Sequence, residues 1–256
     1  MPKWLHEMTW PEVKHYLEGD DRILVPVGST EQHGRFAPLG TDTLVAIALA
    51  EDASDATGVP IVPPLWFGWS PHHMIAPGTI SVRPEVLSEV LHDVVASLSD
   101  HGFRKFVVIN GHRLVNIPWM QVVAERARRV LKVHVVLFDP AYMSREVASE
   151  LGFGPVGHAD EIETSHMLYR YPGLVKRELI RDCRPAERPL YHPDPRDVRD
   201  TLCYVPSTRE DMERIGSISG DYISGSPSKA SPEKGRRYHE HLVSRLVEVL
   251  EHLKSV

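Results

Sequence analysis

Short, continuously apolar runs alternate with longer amphipathic stretches along the first half of the chain. Ile23-Leu24-Val25-Pro26-Val27 has no polar break and predicts a buried strand. Residues 42–52 follow, with Leu44, Val45, Ala48 and Leu49 at helical spacing. Residues 60–66 read as a short strand weakened by its prolines. The clearest helix covers 84–101. Pro84 suits its first turn, Val86, Leu87, Val90, Leu91, Val94, Val95 and Leu98 form one stripe, and Gly102 stops it. A strand over 105–110, a helix near 117–130 and a strand over 133–138 complete a βαβαβ order. That order predicts an α/β fold of three αβα layers, a mostly parallel β-sheet with helices on both faces. Right-handed crossovers then place the C-terminal strand ends on one rim, where open α/β sheets bind ligands.

After about residue 139 the pattern changes. Residues 160–171 predict a helix whose acidic start suits the positive end of its dipole. Residues 183–232 are rich in Pro, Arg, Asp, Gly and Ser and predict a loop-dominated segment packed on the main body or a neighbouring subunit; a flexible linker is the alternative. Leu242, Leu246, Val249, Leu250 and Leu253 mark a final amphipathic helix over 232–254. The length of 256 residues suits a single domain over 1–256, and two small ones also fit it.

Composition narrows the function classes. A net charge of -6 argues against nucleic acid, which needs clustered Lys and Arg. The Arg-rich piece Glu125 to Arg129 reads as the wet, basic end of a helix. No apolar run approaches membrane-spanning length, and the start lacks the apolar core of a signal peptide. Cys183 and Cys203 make no disulfide framework, so a reducing, cytoplasmic setting is expected. The 15 histidines exceed what packing suggests.

The candidate chemistry lies just after the predicted strands. Glu31-Gln32-His33-Gly34 follows the first one, and Asp42 comes after a turn-rich stretch. In an extended segment Glu31 and His33 point the same way. Two carboxylates and an imidazole at one strand end suit a metal ion. The plainer reading is a polar loop with Asp42 capping the next helix. Asn110-Gly111-His112 follows the second strand, and His158 to Ser165 forms a third polar cluster around Glu163. Glu163 reads as a ligand or as a helix-start carboxylate. His158 reads as a substrate or proton-transfer group, or as a histidine merely bonded at a helix start.

In this order, and with Pro77-Gly78-Thr79-Ile80-Ser81 and the stretch from Gly225 to Gly235, these segments resemble the creatininase (creatinine amidohydrolase) family. The resemblance runs from about Met8-Thr9-Trp10 through nearly the whole chain. It implies hydrolysis of a C–N bond by a hydroxide shared between two divalent ions, about 3.5–4 Å apart in such centres. Zn(2+) is the first expectation, with Mn(2+) or Fe(2+) as alternatives. Carried over, Asp42 bridges the ions, Glu31 and His112 hold one, and His33 helps hold the other. Creatininase places a further Glu two residues after the second-motif His. Leu114 stands there instead, and Glu163 is the expected replacement. His158 matches a substrate-contacting His and, with Glu163, is the expected catalytic group.

His73, in the loop with His72 before Pro77, is an expected substrate contact, with a metal ligand as the lesser alternative, while Trp66 and Trp69 read as core or interface residues. Arg113 replaces a family Tyr, and Gly154 a tryptophan that closes over creatinine. Arg113 is expected to bind a substrate carboxylate or phosphate, to cap a helix end, or to pair with a nearby Glu. These departures imply a small cyclic amide or formamide other than creatinine as substrate. Lactone or ester hydrolysis, peptidase action on a modified peptide, and a metal-free scaffold are the rivals. The resemblance also implies a homo-oligomer, a hexamer in the family.

Overall fold

β1 (Arg22–Val27) is buried at every position, which its apolar run requires from Ile23 on, while buried Arg22 pairs with Asp20. It pairs in parallel with β2 (Lys105–Asn110), which pairs in parallel with β3 (His134–Phe138). The computed structural model describes residues 1, 3–183, 192, 194–199 and 207–256. Alternate strand residues face opposite ways and feed two cores. Leu24, Val107 and Ile109 join one core with α2 (Thr41–Thr57), α7 (Glu161–Arg170) and α9 (Pro232–Lys254). Ile23, Val25, Val27, Phe106 and Val108 join the other with α3 (Pro84–Asp100) and α4 (Ile117–Leu131). The sheet is thus covered by helices on both faces, as the βαβαβ order predicts.

Residues 60–66 do not form the continuous strand expected of them. They meet β1 only at isolated parallel bridges, Leu24 with Ile61 and Val27 with Leu65. Val62 and Leu65 donate to the carbonyls of Leu24 and Pro26, but Pro60, Pro63 and Pro64 have no N–H to extend the ladder. α2 runs past residue 52 to Thr57, where left-handed Gly58 ends it. α1 (Trp10–Leu17), α5 (Pro140–Met143) and α6 (Arg145–Glu150) were not apparent from periodicity.

The loop-dominated reading of 183–232 needs correction, because α8 (Arg209–Ser219) lies inside it. Thr208 and Asp211 form a reciprocal capping box at its start, and left-handed Gly220 ends it. Cys203 falls outside the described residues, and Cys183 is a buried free thiol. Among the described residues, no helix is long and apolar enough to cross a membrane.

Candidate metal centre

Parallel pairing brings the first two motifs together. Val27 and Asn110 are register partners at the C-terminal ends of β1 and β2. The chain leaving β1 carries Ser29, Glu31 and His33, and the chain leaving β2 carries His112. Asp42 lies in the first turn of α2, which starts on the same rim. Gly111 is required at this junction. Its N–H donates to the Val27 carbonyl at 2.8 Å, and a Cβ there would collide with the Asp42 carbonyl. The first turn of α7 supplies Glu163, with Asp160 capping that helix by accepting from the Glu163 N–H at 2.9 Å. His158, just before the cap, exchanges two backbone hydrogen bonds with Ser224.

Asp42 occupies the middle of the cluster. One of its oxygens lies 3.1 Å from His33 Nε2 and the other 3.0 Å from His112 Nδ1. Glu31 Oε2 is 3.4 Å from His112 Nε2 and accepts from Ser29 Oγ at 3.2 Å. Glu31 Oε1 is 3.4 Å from His73 Nε2 and 3.5 Å from His158 Nδ1. Glu163 Oε2 lies 3.8 Å from His33 Nε2. The structure therefore gathers Glu31, His33, Asp42, His112, His158 and Glu163 as the sequence predicts, and adds His73 beside Glu31. His73 lies in a single 3-10 turn, Pro71–Ile75, rather than in an irregular loop.

The donor set fits metal ions. Glu31 Oε1, His33 Nε2, Asp42 Oδ2 and His112 Nε2 are buried without a geometrically sound hydrogen bond. Buried polar atoms in that state are costly unless something else satisfies them. His33 Nδ1 lies 3.2 Å from the Glu31 carbonyl, the outer contact that aims a histidine's other nitrogen at a metal. Among the described residues, three groups have ligand atoms close enough to share an ion, two of them being Glu31, Asp42 and His112, and His33, His158 and Glu163. Asp42 thus turns one oxygen toward His33 and the other toward His112.

Arg113 is turned inward. Its guanidinium donates to Glu163 Oε1 at 3.0 Å and to Asp160 Oδ2 at 3.0 Å, and the residue is buried. Of the expectations for Arg113, the structure shows the pairing with a nearby Glu. Glu163 Oε2 also accepts from the Ala159 N–H at 2.7 Å. Glu163 is thus held at both oxygens, with Oε2 on the His33 side. Ala159 and Leu114 both have left-handed backbones, at φ 50° and 65°. Such non-glycine strain costs about 1–3 kcal/mol each and gathers at functional sites. Leu114 offers no ligand, and its N–H donates to Asp139 at 2.9 Å. Sequence reasoning missed Asp160 and Gln32, whose roles depend on partners distant in the chain.

The electrostatics suit the same reading. Burial disfavours the imidazolium of His33, yet Asp42, Glu163 and Glu31 override it and push its pKa up to about 10. His112 is raised to about 9, its burial outweighed by Glu31 and Asp42. Burial raises Glu31 to about 7 against the pull of His112. Asp42 is held well below the usual carboxylate range because the two histidines outweigh its burial. Burial and neighbouring histidines push His158 and His73 well below 6.5, so both are neutral.

Residues 6–250 match the family model described as creatininase, creatinine amidohydrolase. A 3-dehydro-scyllo-inosose hydrolase from Thermotoga maritima is 32% identical over 191 residues, covering 71% of this chain and 60% of that protein. The chain therefore spans less than two thirds of that relative's length. The creatinine amidohydrolase of Pseudomonas putida is 29% identical over 236 residues, 85% of this chain and 90% of that one. Among solved structures, a mutant creatininase of Zn-Zn type is 25% identical, with a TM-score of 0.79 and 98% of each chain covered.

Proposed function

The chain belongs to the creatininase family, and from that premise we propose a metal-dependent amidohydrolase that opens a C–N bond in a small cyclic amide or formamide. The observation that carries this reading is Asp42, buried between His33 and His112 with one oxygen toward each. Glu31 and His112 would hold one divalent ion, His33 and Glu163 the other, and Asp42 would serve both. When bound, such ions supply a water activated at neutral pH and polarise the carbonyl under attack. Zinc is favoured by the His and carboxylate donors and by the Zn-Zn form of the related creatininase, with manganese or iron as alternatives.

The chain's own groups do the rest. His158 donates Nε2–H to the Gln32 carbonyl at 2.6 Å, which leaves the Nδ1 lone pair facing the centre. Being neutral, it accepts the proton released as the nucleophile adds and returns it to the departing nitrogen. Arg113 and the Ala159 N–H keep Glu163 in one orientation, so that its carboxylate faces His33 throughout. Gly154 leaves no indole to cover a flat ring, which supports a substrate other than creatinine. The Thermotoga maritima relative, named for a 3-dehydro-scyllo-inosose substrate, favours a second reading in which the same centre acts on a substrate of that kind.

The test is metal content by plasma mass spectrometry, joined to turnover on a panel of lactams, formamides and lactones. About two equivalents per subunit and loss of all turnover in Asp42→Ala are expected. An Asp42→Ala enzyme with full turnover would rule the mechanism out. Turnover confined to 3-dehydro-scyllo-inosose, added to the panel, would favour the second reading.

A further inference from the structure

A third cluster, Glu31 with His73 and His158, also has atoms close enough to share an ion. The hydrogen bonds of one residue decide what it does. Gln32 Oε1 accepts from the Gly34 N–H at 3.0 Å, and Nε2 lies 2.8 Å from the Tyr222 carbonyl oxygen. An amide N–H only donates and a carbonyl only accepts, so the orientation of the Gln32 side chain is fixed. Its Nε2 therefore donates to His73 Nδ1 as well, at 2.8 Å.

His73 Nδ1 must then carry its lone pair, and the neutral ring must carry its proton on Nε2. An Nε2–H cannot ligate a metal ion. It stands 3.4 Å from Glu31 Oε1, a buried acceptor with no sound hydrogen bond. The backbone of the same Gln32 imposes the opposite state on His158. That ring donates Nε2–H to the Gln32 carbonyl and keeps its lone pair on Nδ1, 3.5 Å from the same Glu31 oxygen. The two rings stack with centroids 4.0 Å apart.

We infer that Gln32 sets opposite tautomers on His73 and His158, so that His73 turns an N–H and not a lone pair toward Glu31 and is a positioning residue, not a metal ligand. It follows that the third cluster holds no ion of its own. The inference builds on the two-metal reading, yet the tautomers can be read with no metal present.

The experiment uses the full chain labelled with 15N histidine and long-range 1H–15N spectra, with the His73 signals assigned by their loss in His73→Gln. His73 is expected as the Nε2–H tautomer with and without zinc. In Gln32→Glu, whose carboxylate only accepts, its proton is expected to move to Nδ1. In zinc titrations, His73→Ala is expected to saturate at the parent's stoichiometry with affinity about 10–100-fold weaker, the usual cost of losing an outer hydrogen bond to a ligand. His73→Gln, which keeps an N–H donor, is expected to regain most of that loss. A parent protein with His73 protonated on Nδ1, a Gln32→Glu variant with an unchanged tautomer, or a His73→Ala variant that saturates one ion lower would each overturn the inference. A parent that takes up no zinc would defeat the hydrolase reading instead, while the spectra would still decide this one.

Discussion

Arg113 has no direct part in the proposed chemistry, yet the centre depends on it. It is the cation between two buried carboxylates, Asp160 and Glu163, and one of these faces His33. Removing one member of a buried ion pair leaves uncompensated charge, at a cost of about 3–5 kcal/mol. Arg113→Ala is therefore expected to lose that much in urea unfolding at neutral pH. Arg113→Lys keeps the charge but not the planar fork, and is expected to lose less. A loss below about 1 kcal/mol for Arg113→Ala would show that the pairing contributes little. The sequence left Arg113 open between substrate and internal partner because its partners lie 47 and 50 residues away. The metal-capable residues were legible for the opposite reason. Glu31, His33 and His112 each sit within a few residues of a strand end, and local pattern locates strand ends well.

At the scale of elements, the site depends on how closely α2 approaches the end of β2. Gly111 makes that approach possible, since any Cβ would meet the Asp42 carbonyl. Gly111→Ala is expected to force the first turn of α2 away from β2. Overpacking of this kind costs about 1–3 kcal/mol. Because the displaced turn carries Asp42, zinc affinity should fall together with the melting temperature. Unchanged zinc binding in a destabilised variant would mean that the turn is not rigidly tied to the centre. The elements legible in the sequence were those with long, unbroken periodicity: β1, α3, β2 and α4. α1 and α8 were missed because short helices present little apolar stripe. α1 buries no residue fully, and both helices rest on capping boxes instead. Residues 60–66 show the converse, a chain that follows β1 closely while its prolines withhold the donors a ladder needs.

For the whole molecule, burying the centre on the sheet rim ties metal binding to protons. Without metal, His33 and His112 hold protons at neutral pH, with pKa values of about 10 and about 9. Both must be neutral to ligate, so each ion bound must expel protons. At pH 8 both histidines are charged in the metal-free protein, whereas Glu31, at about 7, is already mostly ionised. Filling both positions should then release about two protons per subunit from the histidines, beyond any that the ion-bound water gives up. The sign follows directly: raising the pH removes competing protons, so overall zinc affinity rises. The rise should be at least about a hundredfold per pH unit while both histidines are charged, and should slacken above the higher of their two values. Below pH 7 protonation of Glu31 steepens the dependence further. Calorimetry at pH 8 in two buffers of different protonation enthalpy counts the protons directly. Release of two or more would tie His33 and His112 to the ions. Release of none would mean that the ions bind elsewhere, and the rim would then be a cluster of ion pairs and not the hydrolytic centre.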